Sequence, residues 1–294
     1  MIYGIGRGIA ELENSNSPDN APEKFMAAKQ TGNCSARKRV LEGGLRNWNR
    51  KNMKTKIKIC GLTRECEIDY VNEAKPDYVG FVFAKSRRQV GRAKAEKMKE
   101  NLDARIKAVG VFVDAPIDEI ISLVKAKTID VAQLHGRESP AYVKELKKKA
   151  GCRVIKALHP EEGCQERELY DAYWEAGVDY FLFDSGGITK SRGNISNADS
   201  VQNEANVPNG RDGTTKDQAE IGGTGRAFCW DLIPDIPYPY FLAGGICIEN
   251  AREAIRAASP VPYGLDISSG VETNGVKDKK KILEICAKSR AEMR

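Results

Sequence analysis

Lys56-Ile57-Lys58-Ile59-Cys60-Gly61-Leu62 alternates charged or polar residues with isoleucine and then breaks at a glycine. A period of two bounded by Gly marks a β-strand whose two faces differ. Seven more short apolar runs follow: YVGFVFA (78–84), KAVGVFV (107–113), VAQLHG (131–136), VIKAL (154–158), YFLFDS (180–185), YFLAGGI (240–246) and YGLDISS (263–269). Most of the eight break at their C-terminal ends into Gly, Cys, Asp, Arg, His or Ser, and charged stretches of helical period separate most of them. Strands alternating with helices give right-handed βαβ units and a parallel sheet. Eight such units close into a barrel, and barrel enzymes carry their active sites at the C-terminal strand ends. Function is therefore to be read from those ends.

The chain has 294 residues, 41% of them hydrophobic, enough for one well-buried core and short for two full-sized domains. No apolar run approaches the roughly 20 residues that span a bilayer, and the N-terminus lacks an apolar h-region of about 7–15 residues. The expectation is a soluble, cytoplasmic protein without a membrane partner. Eight cysteines (34, 60, 66, 152, 164, 229, 247, 286) are scattered without a CxxC pair, which reads as reduced thiols rather than a disulfide framework. Net charge is +6, yet residues 1–54 hold ten Lys/Arg against five Asp/Glu, so the remainder is nearly neutral. The barrel region shows no basic stripe with interleaved aromatics, and no nucleic-acid partner is expected.

Residues 1–52 carry polar and glycine clusters with little sustained periodicity and read as a poorly ordered N-terminal extension, with the barrel occupying 53–294. Gly4-x-Gly6-x-Gly8 follows no strand and is read as part of that tail. Residues 186–221, rich in Asn, Ser, Gly, Thr and Asp, form a long insertion after strand six that reads as flexible. Amphipathic helices are expected over 63–75, 92–102, 117–127, 139–150, 161–176, 249–258 and 277–288. Their lysine runs, 147–149 and 279–281, read as solvated faces.

Alternation in the first strand puts Lys58 and Cys60 on one face, inside the barrel. Cys60 is then either buried filler or a thiolate whose pKa is lowered by the lysine one layer below. Asp184 ends strand six after an uncharged apolar run. Such surroundings disfavour a charged carboxyl and suit proton donation, while the alternative is a carboxylate paired with Lys58 or Lys156. A thiol base and a carboxylic acid at one mouth suit isomerisation better than hydrolysis. Glycine clusters at 222–225, 243–246 and 268–270 suggest a phosphate site at the ends of strands seven and eight. His135, ending strand four, either lines the pocket or is a satisfied structural histidine. Neither histidine has metal spacing to a second ligand, so no metal is expected.

Taken in order, Lys58-Ile59-Cys60-Gly61-Leu62-Thr63, Gly80-Phe81-Val82-Phe83 with Ser86-Arg87-Arg88, Gly110-Val111-Phe112-Val113, Gln133-Leu134-His135-Gly136, Asp184, Gly222-Gly223-Thr224-Gly225, Leu242-Ala243-Gly244-Gly245-Ile246 and Asp266-Ile267-Ser268-Ser269-Gly270-Val271-Glu272 resemble the phosphoribosylanthranilate isomerase family of tryptophan biosynthesis. The resemblance implies a single (β/α)8 TIM barrel and an Amadori rearrangement of a phosphosugar substrate, without metal or organic cofactor. It implies Asp184 as general acid and Cys60 as general base. It further implies Arg88 and Asp266 around the substrate, Asp266 accepting from the anthranilate nitrogen, with His135 the pocket-lining candidate from strand four. Gly223, Gly225, Gly244, Gly245, Ser268, Ser269 and Gly270 would surround the phosphate. Either a monomer or a homodimer fits.

Three features depart from the family pattern. Residues 185–221 intervene where a shorter loop is usual, Cys229 stands where Asp or Asn is common, and Arg87 replaces a frequent proline, which is expected to loosen its loop. Competing readings are another phosphosugar barrel enzyme, which would not require Cys60 and Asp184 together, and a catalytically silent phosphate-binding barrel.

Overall fold

Eight short parallel strands make the frame: β1 (Lys56–Cys60), β2 (Tyr78–Val82), β3 (Lys107–Phe112), β4 (Val131–Leu134), β5 (Arg153–Leu158), β6 (Tyr180–Phe183), β7 (Tyr240–Leu242) and β8 (Gly264–Ile267). Each pairs with its successor, and β8 pairs with β1 through Lys56↔Gly264 to Ile59↔Ile267, so the sheet closes on itself. The computed structural model describes residues 54–159, 167–184, 233, 236–258 and 262–291. The extension (1–52), the insertion (186–221), Gly223, Gly225 and Cys229 lie outside the described residues.

The runs are strands because β-branched and aromatic side chains fill both faces and glycine or polar residues stop them. Every residue of β2 except Val82, and all of β4, β6, β7 and β8, is buried, as expected of a parallel sheet covered on its outer face. Among the described residues, seven helices cover it: α1 (Cys66–Ala74), α2 (Arg92–Glu100), α3 (Ile117–Lys125), α4 (Pro140–Ala150), α5 (Arg167–Ala176), α6 (Ala251–Ala257) and α7 (Lys279–Ala291). In α4, Val143 and Leu146 are buried, the Ser139 hydroxyl accepts from Tyr142 N, Pro140 opens the first turn, and left-handed Gly151 closes the last.

The floor of the barrel is aromatic. Tyr78, Tyr180, Phe241 and Tyr263 come from β2, β6, β7 and the residue before β8, and their rings meet at centroid distances of 4.5–5.6 Å. Only an interior location lets side chains of these strands touch. The Tyr78 and Tyr263 hydroxyls are 3.0 Å apart, and burial pushes the Tyr180 and Tyr263 phenols up, so this end carries neutral hydroxyls.

Two expectations need correction. The last helix begins at Lys279, not Lys277, because an unanticipated hairpin precedes it: β9 (Glu272–Thr273) and β10 (Val276–Lys277), joined by Asn274-Gly275 with φ of 52° and 77°. Positive φ at both central residues is the two-residue turn that matches strand twist, and Asn-Gly is its favoured sequence. Nor are the lysine runs simply solvated. Lys147 donates to Asp179 Oδ2 at 2.8 Å, and Lys281 donates to the Glu272 carbonyl at 2.7 Å. Long aliphatic stems let these ammonium groups reach carbonyls and carboxylates at strand and hairpin ends.

Candidate active site

Cys60 sits at the C-terminal end of β1, pointing inward beside Gly80 of β2. A Cβ on Gly80 would lie 2.7 Å from Cys60 Sγ, so the absence of a side chain there makes room for the thiol. One layer down, Lys58 is fully buried and donates to both oxygens of Asp266 at 2.9 Å. This arrangement overturns the lowered thiol pKa expected from Lys58. Burial pushes the Cys60 thiol up, the Asp266 carboxylate adds to that, and Lys58 and Lys277 only partly oppose them. Burial also works against the Lys58 ammonium, but Asp266 and Cys60 more than offset it and hold its pKa above the usual lysine value.

The hairpin supplies a second cluster beside the thiol. Arg88 grips Glu272 in a fork, Nε to Oε1 at 2.7 Å and Nη2 to Oε2 at 3.0 Å. Lys277 donates to the same Oε1 at 2.8 Å and to the Ser268 carbonyl at 2.8 Å, while Ser268 Oγ donates to the Cys60 carbonyl at 3.1 Å. Burial disfavours the Glu272 carboxylate, yet the bonds from Arg88 and Lys277 hold it below the usual range. Arg87, 52% exposed, reaches Glu272 Oε2 at 3.0 Å, and Arg88 N donates to Ser86 Oγ at 3.2 Å. The loop that Arg87 is expected to loosen is thus tied at both points.

Asp184 follows β6 at the same rim. Both lysines weighed as its partner hold other carboxylates: Lys58 holds Asp266, and Lys156 lies 3.0 Å from Glu138 Oε2. His135 Nε2 is 3.7 Å from Asp184 Oδ2, and Gln133 Nε2 donates to His135 Nδ1 at 3.1 Å, which leaves the ring proton on Nε2. Burial lowers the pKa of His135 despite the Asp184 carboxylate, so the imidazole is neutral. Among the described residues, buried Gln133 Oε1 has no hydrogen-bond partner.

The loops after β7 and β8 close the rim. The backbone at Gly244 and Gly245 is left-handed, with φ of 88° and 66°. Asn250 braces that loop, accepting from Cys247 N at 2.8 Å and donating to the Gly245 carbonyl at 2.9 Å. Gly270 bridges to Cys247 and packs so tightly on the Ile246 carbonyl that no side chain fits there. The structure thus brings Cys60, Arg88, Asp266, Ser268, Ser269 and Gly270 to the β1/β8 side, and His135 and Asp184 to the β4/β6 side. Among the described residues, no group of three or more His, Cys, Asp or Glu converges as a metal site, and no helix is long and apolar enough to cross a membrane.

Lys277 and Gln133 have no role in the sequence reading. Helical period extends over Lys277, although the Asn274-Gly275 turn signal between Thr273 and Val276 points to a hairpin. Gln133 is a polar residue on the inward face of a short strand, and its period-two spacing from His135 was the available clue.

A closed parallel barrel with a thiol, a carboxyl and glycine-rich loops at the C-terminal rim defines the chain as a β/α-barrel enzyme. Residues 57–288 match the family model described as N-(5'phosphoribosyl)anthranilate (PRA) isomerase, and the chain belongs to that family. It is 40% identical over 229 residues to N-(5'-phosphoribosyl)anthranilate isomerase of Endomicrobium trichonymphae, covering 78% of this chain and 95% of that one. The Clostridium acetobutylicum protein of the same name is 39% identical over 231 residues, covering 77% and 94%. Among solved structures, phosphoribosyl anthranilate isomerase from Thermus thermophilus is similar with a TM-score of 0.59 and 28% identity, covering 82% of this chain and all of that one.

Proposed function

We propose that the protein catalyses the Amadori rearrangement of N-(5-phospho-β-D-ribosyl)anthranilate to 1-(2-carboxyphenylamino)-1-deoxy-D-ribulose 5-phosphate in tryptophan biosynthesis. The observation that carries this reading is the pairing at one mouth of Cys60, among buried charges, with Asp184, beside a neutral histidine. Asp184 gives its proton to the furanose ring oxygen. The C1–O bond breaks and the anilino nitrogen's electron pair forms a C1=N bond. The Cys60 thiolate then takes the C2 proton, the C–H electrons form C1=C2 and the C1=N pair returns to nitrogen, giving the enolamine. Transfer of the C2 hydroxyl proton to C1 yields the ketone. Asp184 loses one proton and Cys60 gains one, and return of that proton through solvent restores the pair, so the chemistry calls for neither metal nor organic cofactor.

His135, with its proton on Nε2, lines the pocket and faces one oxygen of Asp184. Glu272 takes two of the five N–H groups of Arg88, and the rest of the planar fork suits the anthranilate carboxylate. Asp266 accepts from the anthranilate nitrogen. Backbone groups at Gly244, Gly245, Ser268, Ser269 and Gly270, with Gly223 and Gly225, hold the phosphate. The barrel acts in the cytoplasm as a monomer or homodimer, within residues 53–294.

The test is the fluorescence decay of freshly generated phosphoribosylanthranilate. Wild type should consume it rapidly, and Cys60→Ala and Asp184→Asn should each slow turnover by about 10²–10⁴-fold. Full activity in both variants would remove the acid/base assignment. A folded wild type that consumes none of the substrate would remove the activity.

A further inference from the structure

The charges around Cys60 do not balance, and the imbalance falls on one residue. Lys58 is matched by Asp266, whose two carboxylate oxygens both accept from its ammonium. Glu272 alone stands against three cations: Arg88 in a bidentate fork, Arg87 at the surface, and Lys277. The Lys277 side chain is 1% exposed, so water does not solvate its charge. Its remaining bonds go to neutral Ser268, the carbonyl at 2.8 Å and Oγ at 3.4 Å. The ammonium cannot move away. Lys277 lies directly across the hairpin from Glu272, Arg64 Nη2 holds its carbonyl at 3.1 Å, and Asp278 N ties the following residue to the Val271 carbonyl at 2.9 Å. Ser268 links it to the thiol strand through the Cys60 carbonyl.

Resting on the reading of Cys60 as general base, we propose that Lys277 is a positioning residue for the proton transfer: its fixed, under-compensated ammonium adds to Lys58 in favouring the Cys60 thiolate. A buried cation with half a partner favours any anion that appears beside it. Lys58 also favours the thiolate, through its charge and a hydrogen bond to Cys60, but its partner Asp266 opposes the thiolate. The groups facing the two partners are Lys58 and Asp266 from β1 and β8, Glu272 from β9, and Arg88 from the loop after β2. Electrostatic coupling between Lys277 and Cys60 runs in the sense required: each favours the charged form of the other. The hairpin thus ties the base to the arginine loop through a single carboxylate.

The experiment follows the rate of iodoacetamide alkylation at Cys60 against pH, with the Cys60 peptide resolved by mass spectrometry in the full-length chain. Wild type, Lys277→Met, Lys277→Arg and Glu272→Gln are compared, with kcat and KM measured alongside. In Lys277→Met the half-point of alkylation should move up by about one pH unit, and kcat should fall about tenfold with KM within about twofold. Lys277→Arg should restore both. Glu272→Gln, which removes the carboxylate, should move the half-point the opposite way, and it serves as the test if Lys277→Met does not fold. An unchanged half-point in the folded variants, or a rise in KM alone, would overturn the proposal and assign Lys277 to the phosphate loop at Ser268. Full activity in Cys60→Ala would remove the base assignment and this proposal together, whereas an inactive Cys60→Ala with unmoved alkylation removes only this proposal.

Discussion

The two sides of the barrel mouth are built from opposite materials. On the β1/β8 side, Lys58, Asp266, Glu272, Arg88 and Lys277 put five formal charges around one thiol, each in contact with another. On the β4/β6 side, Asp184 stands over an apolar strand beside a neutral imidazole held by an uncharged amide. The difference teaches how one pocket can keep an acid and a base apart. A thiolate requires nearby positive charge, while a carboxyl that must donate its proton is best kept from it.

The comparison breaks most severely if one charge is left alone. Lys58→Met strands the Asp266 carboxylate in the barrel and should cost about 3–5 kcal/mol, read as a large fall in the denaturation midpoint. Lys58→Met combined with Asp266→Leu should recover most of that loss, because removing both charges removes the desolvation penalty. A double variant no more stable than the single one would show that the pair is not what holds this side together.

A second effect concerns the space for the thiol. Gly80→Ala brings a methyl group to 2.7 Å from Sγ and should displace Cys60, lowering kcat by about tenfold or more and stability by about 1–3 kcal/mol. Activity at the wild-type level would mean that the thiol position is not critical.

The pH dependence sharpens the contrast. Burial and Asp266 push the Cys60 thiol above the ordinary thiol range, so the thiolate fraction grows with alkalinity. If the thiolate is the base, kcat/KM of the free enzyme should still be climbing with pH above neutrality. A plateau already reached at pH 7 would contradict this.

The smallest effects belong to the neutral side. His135 is held below 6.5, so on acidification the unfolded chain binds its proton first. Stability should therefore be constant above about 6.5 and fall as pH drops from there toward the folded-state pKa, a slope that His135→Phe should reduce. Gln133→Leu should change stability by no more than about 1 kcal/mol, since it loses one bond but also removes an unpartnered buried oxygen.

The architecture was legible because period-two and period-3.6 patterns are local, and every expected strand forms within a few residues of its run. Cys60, Asp184 and the glycine loops could be found because they stand at the ends of those runs. The hairpin before α7 was missed although its Asn-Gly turn is also local, because the strands on either side are only two residues long. Pairings across the barrel left no such trace. Lys58 and Asp266 are 208 residues apart, and Arg88 and Glu272 are 184 apart.

The amino-acid order by itself determined eight strands, the sheet they form and the rim on which the chemistry sits, since side-chain periodicity and chain stops are set by neighbouring residues. Tertiary structure alone decided which carboxylate answers which cation, and with it the direction of the Cys60 pKa. Burial and charge act through space over a few ångströms, and barrel closure brings residues from both ends of the described chain within that distance.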